Sequence, residues 1–244
     1  MTPNFPAAGM RDPVRGSVVR PPPDDASKAA GTLRRLRIDI VSGQLAPGAK
    51  LSFGPLTARY RVGLSPLREA LCQLVGGGLV TLESQRGFRV AAVSPAELAD
   101  LVAVRRHIEV HAFGLSIRQG DTAWRAQLQA ATARFAHVAA KAGDRRPIDE
   151  DWQQLHRAFH FALIGACRSP MLLQFCQQIY DCFDRYRRLA VPAQSFMAGP
   201  ARDHHELTAA ALSGDDARGQ LLLQRHLDDI AEVVVANFNP PEES

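Results

Sequence analysis

Aromatic residues are scarce in this 244-residue chain: Phe, Trp and Tyr together make up 7% of it. Ala and Leu carry much of the apolar share instead, a balance that favours helices over sheet. No apolar run approaches the roughly 20 residues that a bilayer-spanning helix needs, so no membrane partner is expected. The opening stretch MTPNFPAAGMRDP lacks the basic-then-apolar order of a secretory signal, and a cytoplasmic location is expected. Cysteine is sparse too. Cys72, Cys167, Cys176 and Cys182 show no CxxC spacing, sit in apolar, helix-like contexts, and are expected to be reduced and buried or partly buried.

What is present is enough apolar material, 46% of residues, for one large or two ordinary domains. The net charge of +4 conceals a division. Residues 1–27 carry three charges of each sign, residues 28–95 carry ten Lys/Arg against three Asp/Glu, a net +7, and residues 96–244 carry sixteen against nineteen, a net −3. A compact basic segment joined to a mildly acidic one points to a polyanionic partner for the first. A merely solvated basic face is the plainer account of charge alone.

Residues 1–27, with RPPPDD, lack an apolar period and read as a disordered lead-in; residues 239–244 read as a flexible tail. Between them, ASKAAGTLRRLRIDIVSG predicts a helix with Leu33, Leu36, Ile40 and Val41 on one face and Gly43 at its end. A turn at Pro47-Gly48 follows, then a short helix over FGPLTARYRV with Leu56, Ala58 and Tyr60 as contacts. In VGLSPLREAL, Ser65 suits an N-cap and Pro66 the first helical position. The helix it opens carries Leu67, Leu71, Leu74 and Val75 inward and stops in three glycines. LVTLESQRGFRVA then reads as two strands around a turn at Gln85-Arg86-Gly87. This order is that of a winged helix-turn-helix over residues 28–93, for which double-stranded DNA is the expected partner. Arg68 would lie on the first turn of the recognition helix, Ser65 and the free N–H groups there would suit a phosphate, and Arg86 beside Gly87 would form the wing tip. Arg34, Arg35, Lys50, Arg59 and Arg61 would add attraction independent of base sequence. Taken singly, Arg68 could equally be half of an exposed ion pair.

From Ser94, where SPAE spells a capping box with Glu97, no convincing strand appears. Helices are predicted at 94–118, 121–142, 148–168, 170–190, 199–213 and 215–238, with breaks at Gly143-Asp144 and Pro147 and at Pro192 among others, giving an all-α bundle over 94–238. The fold class is therefore mainly α. Of eight histidines, two pairs have i, i+4 spacing, His107/His111 and His156/His160, and such a pair can present two nitrogens to one ion. His156 and His160 run in step with Leu163, and His226 is a single polar residue on a stripe with Leu222 and Leu223. His204 can share a face with Leu207 and Ala211, while His205 is expected to be exposed. Any one of these is ordinarily a satisfied core or surface histidine; together they form a candidate metal set.

The stretch LTARYRVGLSPLREALCQLVGGGLVTLESQRGFRV resembles the winged-helix domain of GntR-type transcriptional regulators, and the downstream helices resemble the FCD domain of their FadR subfamily. The resemblance spans about residues 30–238 and is nearest to the CsiR-like branch, through LSPLREAL, QRGFRV, HRAFHFALIGAC, RYRRLA and DHHELTAAAL. Arg68 and Gly87 carry over, whereas Leu64 and Ser65 stand where many members have an arginine and a threonine, so operator sequence cannot be borrowed. FCD domains commonly hold a divalent metal on an acid, a histidine four residues on, and two later histidines. His160, His204 and His226 fall on the histidine positions, with His156 in place of the acid. An all-imidazole set favours metals of the zinc, nickel or copper type; zinc is expected, with nickel or manganese as alternatives, and the uncompensated metal charge would draw in a carboxylate. Arg105, four before Glu109, matches an arginine often seen in these domains and is read as the partner of an effector carboxylate, with Arg185 and Arg187 as alternatives and Tyr186 lining the same cavity. The resemblance implies a homodimeric repressor of carboxylate catabolism that responds to a small acid: glutarate, a related dicarboxylate or a 2-hydroxy acid. Two other classes stay open at this point: a metal-dependent enzyme with an accessory basic domain, although no HExxH is present, and an architectural DNA-binding protein with an inert bundle.

Overall fold

Helix α1 (Asp24–Val41) opens the fold, beginning inside the segment expected to be a structureless lead-in. The structure is a computed structural model that describes residues 24–142, 150–190 and 200–239. In α1, Ala29, Leu36, Ile40 and Val41 are buried and Leu33 packs beside them. Gly43, at φ +79°, turns the chain away in a conformation that glycine adopts without steric cost. α2 (Phe53–Tyr60) buries Leu56 and Tyr60. Ala58, expected as a contact, faces solvent, because a residue two positions along a helix lies on its far side.

α3 (Leu64–Gly76) begins one residue before the predicted cap. Gly63, in extended backbone, is the N-cap, and its carbonyl accepts the Leu67 N–H at 3.3 Å. Ser65 and Pro66 are thus the second and third helical residues. Pro66 still forfeits no hydrogen bond, since the first four N–H groups of a helix have no intrahelical acceptor, and its ring is buried with Leu67, Ala70, Leu71 and Leu74. Strands β1 (Val80–Glu83) and β2 (Gly87–Val90) form the antiparallel wing, with Val80 opposite Val90 and Glu83 opposite Gly87. Lys50 bridges to Arg89, and the Leu51 N–H donates to the Phe88 carbonyl at 2.8 Å, which fastens the turn before α2 to the wing.

The bundle consists of α4 (Pro95–Gln119), α5 (Thr122–Ala142), α6 (Glu150–Ile164), α7 (Pro170–Ala190), α8 (Pro200–Ser213) and α9 (Asp216–Asn237). Each of the six expected helices is found; α6 stops at Ile164, short of the expected 168, where Arg168 takes a left-handed φ of 53°. The breaks expected at Gly143 to Pro147 and at Pro192 lie outside the described residues. α4 packs on α9 and α7, and α5 on α6 and α8. The α4–α9 approach depends on glycine: a Cβ on Gly219 would fall 2.5 Å from Ile117 Cδ1. No described helix is long and apolar enough to cross a membrane. All four cysteines are free; Cys167, Cys176 and Cys182 are buried, but Cys72, expected at least partly buried, is exposed on α3.

Candidate metal centre and nucleic-acid interface

The inward face of α3 leaves an outward line of Leu64, Arg68 and Cys72, spaced four apart, with Ser65 and Glu69 beside it. Arg68 is exposed and enters no ion pair among the described residues. At the wing tip, Gln85 (φ 62°) and Gly87 (φ 84°) close a tight turn that leaves Arg86 exposed. Lys50, on the edge of the same wing, is exposed as well. Two of the remaining expected contacts, Arg59 and Arg35, are engaged within the domain. Arg59 pairs with Asp39 at 2.8 Å and donates to Gln44 at 2.9 Å, and Arg35 donates to the Tyr60 carbonyl at 3.0 Å and lies over its ring, so both hold the domain together.

In the bundle, α6 supplies His156 and His160 one turn apart, α8 supplies His204 and α9 His226. All four are buried, and each offers a nitrogen that lies within 4.8 Å of the others'. Nitrogens bound to one zinc at 2.0–2.1 Å can be at most about 4.2 Å apart, so only a small closure separates this set from a coordination sphere. His156 Nε2 and His160 Nε2 are 3.2 Å apart, and His226 Nε2 is buried with no hydrogen-bond partner among the described residues, as expected of atoms meant for an ion. The other nitrogens are steered: His156 Nδ1 lies 3.2 Å from the Tyr180 hydroxyl, and His226 Nδ1 lies 3.6 Å from Asp203, whose carboxylate this contact holds below its ordinary pKa. Trp152 stacks on His156, and Phe135 and Phe159 meet His204 edge-on, which fixes the rings. Burial, reinforced by the neighbouring imidazoles, pushes His156 and His160 well below the ordinary histidine pKa, so both are neutral at pH 7, the form that binds metal. The competing pair, His107/His111, is exposed on α4 and takes no part; His205 is exposed too.

Beside the histidines, Arg105, Glu109, Tyr180, Phe183, Asp184 and Arg187 form a buried polar layer. Arg105 pairs with Glu109 at 2.7 Å and lies over the Phe183 ring at 4.5 Å. Arg187 pairs with Asp184; burial would raise the Asp184 carboxyl, but Arg187 and Arg188 hold it below its ordinary value. The space between Arg105, His156, Tyr180 and Arg187 is only about 10 Å³. Arg185 and Tyr186 lie elsewhere and do not share a cavity with Arg105, contrary to expectation. Arg185 is fully buried and donates to the carbonyls of Ala91 and Ala92 at 3.0 and 3.2 Å. The Tyr186 hydroxyl accepts from the Ser94 N–H at 2.9 Å and donates to Glu97, displacing the return bond of the expected capping box. Both clamp the junction of the two domains. Tyr180, Phe183 and Arg187 share one face of α7, whereas 185 and 186 lie around the helix from it, a distinction that the 3.6-residue period could have supplied. Asp203 and Trp152 were missed altogether.

Residues 28–90 match the family model described as "Bacterial regulatory proteins, gntR family", and residues 100–229 match the FCD domain. The HTH-type transcriptional repressor GlaR of Escherichia coli (strain K12) is 37% identical over 198 residues, 80% of this chain and 90% of that protein. The HTH-type transcriptional regulator BphR of Paraburkholderia xenovorans (strain LB400) is 37% identical over 209 residues, 83% of each chain. Among solved structures, E. coli McbR/YncC superposes with a TM-score of 0.73 at 20% identity, covering 87% of this chain and 99% of that one, a likeness of fold. These relatives are DNA-binding regulators and not enzymes. The chain belongs to the GntR family of bacterial regulatory proteins, with an FCD domain following its DNA-binding domain.

Proposed function

We propose that this protein is a cytoplasmic homodimeric repressor of a carboxylate-catabolism operon, whose bundle senses a small acid at a metal held by His156, His160, His204 and His226. Zinc suits the all-imidazole donor set, with nickel or manganese as alternatives. The ion would supply positive charge that four neutral ligands leave uncompensated, and an acid is the natural complement; glutarate, a related dicarboxylate or a 2-hydroxy acid fits this chemistry. Arg105, which now pairs with Glu109, would receive a second carboxylate if Glu109 yields. Arg68, Ser65 and the wing residues Arg86, Gly87 and Lys50 would meet the operator, whereas Pro66, expected among them, has its ring buried against the domain core and sets the helix start instead.

The observation that carries this reading is the run of α7. Tyr180, Phe183 and Arg187 face the histidines; Asp181 pairs with Arg37 of α1 at 3.5 Å; Arg185 and Tyr186 clamp the junction. A space of about 10 Å³ holds no more than a water, so an acid seated between the histidines and Arg105 must displace side chains, several of them on α7. That gives the ligand two arrangements to choose between and a rigid element that reaches the DNA-binding domain. The test is a gel shift on the DNA upstream of the protein's own gene, using untagged protein of measured metal content and a panel of dicarboxylates and 2-hydroxy acids. One acid should change the shifted band for the metal-loaded protein and leave His160→Ala unaffected. A band that no acid alters, or an absence of stoichiometric metal, overturns the sensor.

A further inference from the structure

Leu64 is 63% exposed although it is a large apolar side chain. Single exposed leucines need no explanation in general, but this one has a particular setting. It is the first residue of α3, one turn from Arg68 on the same outward line, while the helix packs inward through other residues. The first turn of α3 contains no acidic residue, although an acid there would favour the helix dipole. A helix start that presents an exposed leucine and serine with an exposed arginine one turn on, unpaired among the described residues, and no acid in its first turn, suits a polyanion. Leucine has no donor or acceptor, so it cannot read guanine, adenine or cytosine by hydrogen bonds. The apolar group that the major groove offers is the thymine 5-methyl.

We infer that Leu64 is a specificity-determining residue that docks on a thymine methyl in the major groove and selects an A·T pair there. This rests on α3 being the DNA-reading helix. One helical turn rises about 5.4 Å and a base step about 3.4 Å, so the selected pair lies within about two base pairs of the one approached by Arg68.

The test takes the full chain through selection from randomised duplexes, then measures binding to the selected site with each thymine replaced in turn by deoxyuridine, which removes only the methyl. At one position the wild type should lose about fourfold in affinity, the value of one buried methyl group. Leu64→Ala should bind the thymine and uracil duplexes alike, and Leu64→Arg should move the preference at that pair to G·C. Because Leu64 is exposed, both variants should keep the wild-type melting temperature, checked by circular dichroism. Uniform indifference to uracil, or a uracil penalty that survives in Leu64→Ala, overturns the inference while leaving DNA binding intact. Failure to enrich any sequence overturns the DNA-reading role of α3 as well.

Discussion

The two domains hold their functional groups in opposite ways. In the winged helix, Arg68, Arg86 and Lys50 are exposed and enter no side-chain ion pair among the described residues, and the fold beneath them is an ordinary apolar core. In the bundle the candidate groups are inside: four histidines, Arg105 with Glu109 and Arg187 with Asp184 are all buried. A partner that is itself a large polyanion can be met by a convex face that needs no preparation. A small ligand must be surrounded, and the surrounding groups then have to satisfy one another in its absence. Perturbing these groups should therefore affect binding without stability in the first domain and both together in the second.

The largest effect should come from the proposed metal. With free ion a thousandfold above its dissociation constant, binding contributes about 4 kcal/mol. Chelation or His160→Ala should therefore lower the bundle's melting temperature on the order of 10 °C. Both tryptophans, Trp124 and Trp152, lie in the bundle, so their fluorescence reports on it alone. In metal-free protein the same probe should reveal a pH dependence. His156 and His160 titrate well below the ordinary value in the folded state, so the unfolded chain takes up protons first as pH falls. Stability is present above about pH 6.5 and lost below it, with each residue contributing up to about 1.4 kcal/mol per pH unit. A tryptophan-monitored stability that stays flat from about pH 7 to 5 would contradict the buried neutral cluster.

This contrast also explains what could be read from the sequence. The winged helix was legible because its signals are local: the face of Leu36, Ile40 and Val41, the prolines and glycines at the turns, and a hairpin whose turn falls at Gln85 to Gly87. The missed detail there, the cap at Gly63, is a difference of one residue among groups that lack acceptors in any case. The four histidines were legible because i, i+4 spacing and lone polar positions on apolar stripes survive without tertiary information. What surrounds them was not. Asp203 beside His226 and Trp152 stacked on His156 depend on how α6, α8 and α9 cross. In RYRRLA the helical period alone separates two arginines that flank one tyrosine: Arg185 clamps the junction and Arg187 faces the histidines.

Arg185 sharpens the comparison within the bundle. Replacing it by methionine leaves the carbonyls of Ala91 and Ala92 without their buried donor, at a cost of about 3 kcal/mol. Acid and metal affinity of the remaining folded protein should be unchanged, measured by isothermal titration with glutarate and zinc. Glutarate affinity lost with stability kept would restore Arg185 to the sensor site.

The smallest effect separates two arginines of the first domain. Arg68→Ala should leave stability within about 0.5 kcal/mol, since an exposed side chain with no ion pair is lost. It should weaken operator binding by about 1–3 kcal/mol if it reads a base, with relaxed preference at one pair, or lower the salt slope by about 1 if it meets a phosphate. Arg59→Ala should behave in the reverse manner. Its guanidinium is held by Asp39 and Gln44, so its loss should cost up to about 1 kcal/mol of folding stability and leave the salt slope of DNA binding as it was. Fluorescence anisotropy across a salt series, with denaturant melts of the same preparations, distinguishes the two. If Arg59→Ala flattens the salt slope as much as Arg68→Ala, then Arg59 leaves Asp39 for the DNA, and the cations of this domain act as one pool instead of dividing into those that hold the fold and those that meet the operator.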